Sequence, residues 1–171
     1  ESRAVDLIHR EAAIALRLGQ PTQQDLIARR LVTVGFGLYA SKSYLRHAPP
    51  LNSVEDLQAH HFVGLLAPGT GMNSTLSIPS TQLLPGNYVY QSNSPTAQLS
   101  AVQAGFGIGI LSHRWASIAG KLTRVLPDYS PSAIDLWLVT HEELRYSARI
   151  RTVFDFIAER ALADSDLFEL G

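Results

Sequence analysis

The residues best placed to do chemistry are Ser92-Asn-Ser-Pro-Thr96. Ser94 is an apt N-cap, and Pro95 suits the first helical position, where its missing N–H costs nothing. The spacing predicts a helix from there through Leu99 and Val102 to Gly105, a natural C-terminal stop. A helix start carries free backbone N–H groups and the positive end of the dipole, so it favours an anion. Ser92 opens the stretch, Ser94 and Thr96 add hydroxyls, and Asn93 adds an amide. Such a site suits a carboxylate or phosphate on a small molecule. Capping alone is the competing account of the same residues. Arg17 offers a counter-charge. It ends an apolar strand just before the loop at Gly19, and in open α/β sheets ligands sit outside the carboxyl ends of strands. A surface arginine paired to an acid is its competing account.

Other chemistries lack their residues. Gly105-Phe-Gly-Ile-Gly109 follows a helix and leads into a strand, whereas a dinucleotide fingerprint needs strand, glycines, helix. His60 and His61 are adjacent, so in a strand they point to opposite faces and do not chelate together. His9, His47, His113 and His141 show no ligand spacing with a carboxylate and are expected as surface or loop histidines. No metal site and no cofactor is expected. No G-x-S-x-G elbow is present, so the hydrolase reading lacks its sharpest sign. Glu55, Asp56, Glu142, Glu143 and Glu159 lie beside helix starts or on charged faces, where solvation accounts for them. No catalytic residues are assigned.

These residues need elements to hold them. Apolar runs predict strands at 13–17, 31–40, 62–66, 107–111, 122–126 and 134–140, with shorter ones near 76–78 and 88–91. In the 31–40 strand, Gly35 and Gly37 share a face, which suggests that another group approaches the backbone there. Ser41 and Ser112 read as caps of short helices, and Ser53-Val-Glu-Asp56 resembles a capping box with Asp in place of Glu. Residues 3–11 read as the end of a helix. The last helix is the strongest periodic signal, with Ile150, Val153, Phe154, Ile157, Ala158, Ala161 and Leu162 on one face. Strands interleaved with short helices predict an α/β fold with a largely parallel sheet.

The 171 residues are enough for one domain or two small lobes. With 46% hydrophobic and 17% charged residues the composition is globular. A formal net charge of -1 gives no basic footprint for nucleic acid. The chain has no cysteine, which excludes disulfides and thiolate metal sites. No apolar run is long enough to span a membrane. The chain starts at Glu1 in mid-element, so it is expected to be part of a longer protein.

Several stretches, in order, resemble LysR-type transcriptional regulators. Val5-Asp-Leu-Ile-His-Arg-Glu-Ala-Ala-Ile-Ala-Leu-Arg-Leu-Gly19 is similar to the family's "D-L-I/V-x-R-E-x-A-D-I-A-L-R-x-G", with Ala13 where an Asp is common. Asp25-Leu-Ile-Ala-Arg-Arg-Leu31 resembles the segment that follows. Gly37-Leu-Tyr-Ala-Ser-Lys-Ser-Tyr-Leu45 resembles "L-Y-A-S-P-x-Y-L", and the 51–63 segment resembles "P-x-x-P-E-D-L-x-x-H-x-x-I". Residues 99–111 match "A-x-x-A-G-x-G-I-A-x-L". Leu136 to Ile157 resembles "W-L-x-x-H-x-x-L-R-x-x-x-R-V-R-x-x-x-D-F-L". Residues 67–86 match weakly.

The resemblance implies a two-lobed fold of the type 2 periplasmic-binding kind. It puts lobe I at 1–40 and 112–171, lobe II at 41–111, and crossing strands near 37–41 and 110–112. The first strand and helix of lobe I would precede Glu1, leaving that lobe incomplete and its apolar sheet surface open to water. A small anionic effector, such as a carboxylate, would lie between the lobes, touched by Arg17 and Gly19, Ser41, and Ser92, Asn93, Ser94 and Thr96. The resemblance further implies a cytoplasmic, non-enzymatic homodimer or homotetramer. It would reach promoter DNA only through an N-terminal winged helix-turn-helix that this chain lacks. A solute-binding protein of a transport system shares the fold and is the alternative; an enzyme on this fold would need a catalytic pair that is not seen.

Overall fold

The structure is a computed structural model, and residues 12–23, 25–65 and 85–165 are described. The elements are β1 (Ile14–Leu18), β2 (Leu26–Ser41), α1 (Lys42–Leu45), a 3-10 turn (Glu55–Ala59), β3 (Phe62–Leu65), a 3-10 turn (Pro85–Asn87) and β4 (Tyr88–Ser92). Then follow α2 (Pro95–Gln103), β5 (Ile108–Ser112), α3 (His113–Ala119), β6 (Leu122–Val125), β7 (Ser132–His141), a 3-10 turn (Glu142–Tyr146) and α4 (Ala148–Ala163). The helix expected over 3–11 and the strand near 76–78 lie outside the described residues.

By contacts the chain divides into two units. Among the described residues, 35–132 form unit 1, and 12–34 with 133–165 form unit 2.

In unit 1 the second half of β2 runs antiparallel to β5, with Phe36 opposite Ser112, and to β6, with Ser41 opposite Leu122. β3 lies between β4 and β5 and is parallel to both. The β4–α2–β5 crossover skips β3, as a parallel arrangement requires. Two apolar clusters form here. Leu38 and Ala40 pack with Leu57, Phe62, Ile108 and Val125. Tyr39 packs instead with Val63, Ala101, Val102, Leu111 and Ala116. The period of two along β2 separates the clusters onto opposite faces. The 3-10 turn and α1 cover one face, and α2 with α3 cover the other. The Asp56 carboxylate accepts the N–H groups of Asn52 and Ser53 at 2.9 Å each, which is how the side chain three residues into a capping box reaches back.

In unit 2, β1 pairs antiparallel with β7, Ile14 opposite Thr140, and β7 neighbours β2. Leu31, Val32, Val34, Ile134, Leu138 and Val139 are buried. Asp135 on β7 takes a twofold ion pair from Arg30, with Nε to Oδ2 at 2.8 Å and Nη2 to Oδ1 at 2.9 Å. The Thr33 hydroxyl donates to the same Oδ1 at 2.9 Å. These bonds, Arg30's first, hold the Asp135 carboxyl below its ordinary range.

Two expectations need correction. The sheet pairing is mixed, not largely parallel: β3, β4 and β5 are parallel, while the pairs of β1, β2, β5, β6 and β7 given above are antiparallel. Parallel strands need a helical crossover, and among the described residues such helices link β4 to β5 and β5 to β6 but not β1 to β2 or β6 to β7. The face assigned to the last helix is only partly buried. Ala158 is fully buried, but Val153 and Leu162 are each 45% exposed.

Candidate functional site

The site is built from the end of β4 and the start of α2. Val89 and Gln91 alternate along β4 with Tyr88, Tyr90 and Ser92, and the strand ends at Ser92. The Ser92 hydroxyl then accepts the Ser94 N–H at 3.1 Å, which turns the chain. Ser94 is the N-cap, in extended conformation, with Pro95 behind it. The Ser94 Oγ accepts the Ala97 N–H at 3.4 Å and shares a hydrogen bond of 2.9 Å with the Thr96 hydroxyl. The Gln98 N–H closes the first helical bond onto the Ser94 carbonyl at 3.0 Å.

Helix starts leave their first N–H groups without intrahelical partners. Here Pro95 has none to offer, Ala97 is capped and Gln98 is bonded in the helix. The Thr96 N–H has no acceptor among the described residues. It stands beside three hydroxyls, with Asn93 exposed next to them. The segment 92–103 carries no charged residue. An anion here would be held by a backbone N–H, hydroxyls and the helix dipole. Gln98 fixes the platform: its side chain is buried, and its Nε2 donates to the Val63 carbonyl at 3.3 Å.

Ser41 lies elsewhere in unit 1. Ser41 caps α1 and is buried; its Oγ accepts the Tyr44 N–H at 3.2 Å and pairs with the Ser43 hydroxyl at 2.8 Å. A Cβ on Gly105 would stand 3.0 Å from the Ser43 Oγ and 3.4 Å from the Ser41 Oγ. Ser41 is therefore at the C-terminal end of α2, about 15 Å of helix away from Ser94 at 1.5 Å rise per residue. Arg17 and Gly19 belong to unit 2. The Arg17 Nη1 donates to the Gln23 Oε1 at 3.0 Å. Gly19 has a positive φ of 87°, and its N–H donates to the Asp135 carbonyl at 2.8 Å. Thus Ser92, Asn93, Ser94 and Thr96 come together in one place, Ser41 is at the far end of the helix they start, and Arg17 with Gly19 forms a separate turn.

Sequence reasoning missed two histidine clusters in unit 1. The expectation of a surface or loop histidine fails for His113, which is buried, and His60, read only as unable to chelate with His61, is buried too. His113 Nδ1 and the Tyr39 hydroxyl lie 2.7 Å apart, with rings in an edge-on arrangement. Burial is the main cause holding His113 below its ordinary pKa, with the Arg124 charge adding to it. Burial also raises Tyr39. The sequence signal was Gly37, where an added Cβ would meet the His113 ring at 2.9 Å. In the second cluster the Tyr44 hydroxyl accepts the His61 N–H at 3.0 Å and lies 3.0 Å from the His60 Nδ1. Its own proton is then free for Nδ1. The neutral His60 so defined carries its hydrogen on Nε2, a buried atom with no partner of normal geometry. Burial lowers the pKa of His60, and the Pro50 carbonyl offsets this only in part. Among the described residues no three His, Cys, Asp or Glu side chains converge as metal ligands.

Residues 1–162 match the LysR substrate binding domain. An HTH-type transcriptional regulator of Xanthomonas campestris is 30% identical over 171 residues, covering 95% of this chain and 49% of that protein. The HTH-type transcriptional activator TtdR of Escherichia coli is 28% identical, covering 91% of this chain and 52% of that protein. The chain thus spans about half the length of these curated relatives. Among solved structures, the regulatory domain of CrgA, a LysR-type regulator from Neisseria meningitidis, superposes with a TM-score of 0.76 at 27% identity. It covers 91% of this chain and 78% of that one. The effector domain of AmpR from Pseudomonas aeruginosa gives 0.71 at 15% identity, over 97% and 80% of the two chains, a likeness of fold alone. The mixed α/β fold is that of LysR-type regulatory domains, in the periplasmic-binding-protein-like class, and this chain belongs to the LysR family as a substrate-binding, or effector-binding, domain.

Proposed function

We propose that this chain senses a small anionic effector for a LysR-type DNA-binding transcriptional regulator, and that the anion docks at the start of α2. The observation that carries the reading is the Thr96 N–H, without an acceptor among the described residues and beside the Ser92, Ser94 and Thr96 hydroxyls. Asn93 supplies a further amide. In this reading the effector is a carboxylate, and the lobes are 41–111, which carries the helix start, and 1–40 with 112–171. The reading is non-enzymatic: the relatives are named as regulators, and the donors at the helix start bind without offering a nucleophile–base pair. It is also cytoplasmic, acting as a homodimer or homotetramer, with promoter DNA reached through an N-terminal winged helix-turn-helix. The same names speak against a transport solute-binding protein. No helix among the described residues is long and apolar enough to cross a membrane.

Calorimetric titration with a panel of small carboxylates tests the site. Thr96→Val removes a hydroxyl at nearly constant shape, and Ser94→Ala removes the cap. Each is expected to weaken the best ligand by about tenfold, the value of one hydrogen bond to a charged group. Unchanged affinity in both variants would remove the helix start from the binding site.

A further inference from the structure

The short helix α3 is held to the sheet by two side chains. Of its seven residues, His113 and Ala116 are buried, one turn apart on one face. Trp115 and Ile118 are exposed. A helix this short does not persist alone in water, so its place depends on what those two side chains grip. Ala116 packs among Tyr39, Val102 and Leu111. His113 reaches β2: its ring stands edge-on to Tyr39, with Nδ1 2.7 Å from the Tyr39 hydroxyl. Gly37 makes room for it, since a Cβ there would meet the ring at 2.9 Å.

These surroundings suit one protonation state. Among the described residues the Tyr39 hydroxyl has no acceptor but Nδ1, so it donates, and the imidazole is neutral with its hydrogen on Nε2. A second proton would go to Nδ1. The hydroxyl would then have to accept, and its own hydrogen would lose its acceptor. The new charge would also arise beside a guanidinium. The Arg124 Nε lies 3.4 Å, and the His113 ring 2.9 Å, from the place a Cβ on Gly37 would take. That Nε is buried with no hydrogen-bond partner. No carboxylate on the neighbouring elements offsets the two. β3, β5 and α2 carry no titratable side chain, β6 has only Arg124, and residues 35–41 of β2 have only Tyr39. α3 itself adds Arg114, and the loop after it Lys121, both cations. Burial first, then the Arg124 charge, hold His113 below the ordinary imidazole range.

We propose that His113 is a proton-operated latch on α3. Neutral, it holds the helix to β2 through Tyr39. Protonated, it leaves its seat over Gly37 for water and releases the first turn of α3, while the sheet stays folded. A histidine held below its ordinary pKa is neutral at about pH 7 and takes up its proton only on acidification through the lowered value. The latch is therefore closed at neutral pH and opens in acid. The exposed face of α3, with Trp115 and Ile118, moves when it opens. This gives the domain an acid-responsive surface that owes nothing to an anion at the start of α2. The Trp115 N–H is bonded to the Ser112 hydroxyl at 3.3 Å in the same first turn, so its indole reports the state of the latch.

Trp137→Phe leaves Trp115 as the single tryptophan of the chain. NMR follows its indole and the His113 ring from about pH 8 to about pH 5, across the ordinary histidine range, without denaturant and with far-UV circular dichroism in parallel. The indole resonance is expected to shift with the same midpoint as the His113 ring, while the far-UV signal holds. His113→Gln abolishes the indole shift, and His60→Gln, in the other histidine cluster, leaves it. Arg124→Gln removes the neighbouring charge and moves the midpoint to higher pH, which keeps the test open should His113→Gln fail to fold. Gly37→Ala expels the ring and gives at about pH 8 the indole position that the parent reaches in acid. An indole that ignores pH, a shift that survives in His113→Gln, a midpoint unmoved by Arg124→Gln, or a shift that coincides with loss of the far-UV signal would each overturn the proposal.

Discussion

Units 1 and 2 use the same residue types to opposite effect. In unit 1 both sides of β2 are covered, and Leu38, Leu57, Ile108 and Val102 are fully buried. In unit 2 the alternation along β1 places Leu16 and Leu18 on one side, where they are 55% and 41% exposed. On α4, Phe156 is 62% exposed while Ala158, two residues on, is fully buried. An apolar period therefore identifies a face, and only the layer opposite decides whether that face contributes to stability. Burial of a leucine is worth about 1.5–3 kcal/mol against leaving it exposed, so identical substitutions in the two units separate cleanly.

Leu38→Ala in unit 1 is expected to cost about 2–5 kcal/mol, the transfer and cavity terms together. Leu16→Ala in unit 2 is expected to cost no more than about 0.5 kcal/mol. The two tryptophans make this measurable by urea denaturation, since Trp115 lies in unit 1 and Trp137 in unit 2. Single-tryptophan variants report each unit. Equal losses from the two substitutions would break the contrast.

Glycines sharpen it. A Cβ on Gly107 would sit 2.4 Å from the His61 carbonyl oxygen, a backbone atom that cannot swing aside. Gly107→Ala is expected to destabilise unit 1 by about 1–3 kcal/mol through overpacking. Gly19 in unit 2 has open space around it but a φ of 87°. Gly19→Ala pays only for the left-handed backbone, about 1–2 kcal/mol. Replacement of Gly19 by Asn, which tolerates that conformation, recovers part of the loss; no residue recovers Gly107. Urea midpoints of the three variants check both statements.

Acid distinguishes the units by a different route. Burial lowers His60 and His113 from an ordinary value of 6.5. Both are in unit 1. A histidine held below its unfolded pKa takes up its proton more readily in the unfolded chain, so stability is full above that pKa and declines as pH falls beneath it. The Trp115 transition is therefore expected to weaken from about pH 6.5 downward. In unit 2 the lowered carboxyl of Asp135, paired with Arg30, gives a contribution lost only on descent through the carboxylate range. His113→Gln and His60→Gln should each flatten the upper part of the unit 1 profile. A Trp115 midpoint indifferent to pH between about 7 and 5 would contradict the burial argument.

Sequence alone made some of these features legible and hid others for identifiable reasons. Local signals were sound. Ser41, Ser94 and Ser112 each cap the helix that follows. The strands were found, though β2 extends five residues ahead of the expected 31–40 run, because pairing, not hydropathy, sets its start. Pairing direction was not legible: it depends on which strands meet, and the β–α alternation that suggests parallel neighbours holds only around β3. His113 was misjudged, and the burial of His60 was not foreseen, because burial of an imidazole rests on partners 74 and 16 residues away in sequence. At the candidate site, the hydroxyls of 92–96 could be foreseen as a local group. The separation of Ser41 from that group could not, since it follows from the packing of α1 against Gly105.

The smallest expected effect concerns the helix caps. Ser94 in unit 1 accepts the Ala97 N–H through its side chain, at a long 3.4 Å. Ser147 opens α4 in unit 2 with no side-chain cap bond. Loss of a serine cap costs about 0.5–2 kcal/mol, and the length of the Ser94 bond places Ser94→Ala at the lower end of that range. Ser147→Ala is expected to be neutral within about 0.3 kcal/mol, because alanine removes no bond there and has a slightly better helix propensity. Matched urea titrations of the two variants decide this. A larger loss at Ser147 than at Ser94 would mean that the cap geometry, and with it the free Thr96 N–H at the start of α2, is not as described, which would undercut the proposed anion site along with the contrast between the units.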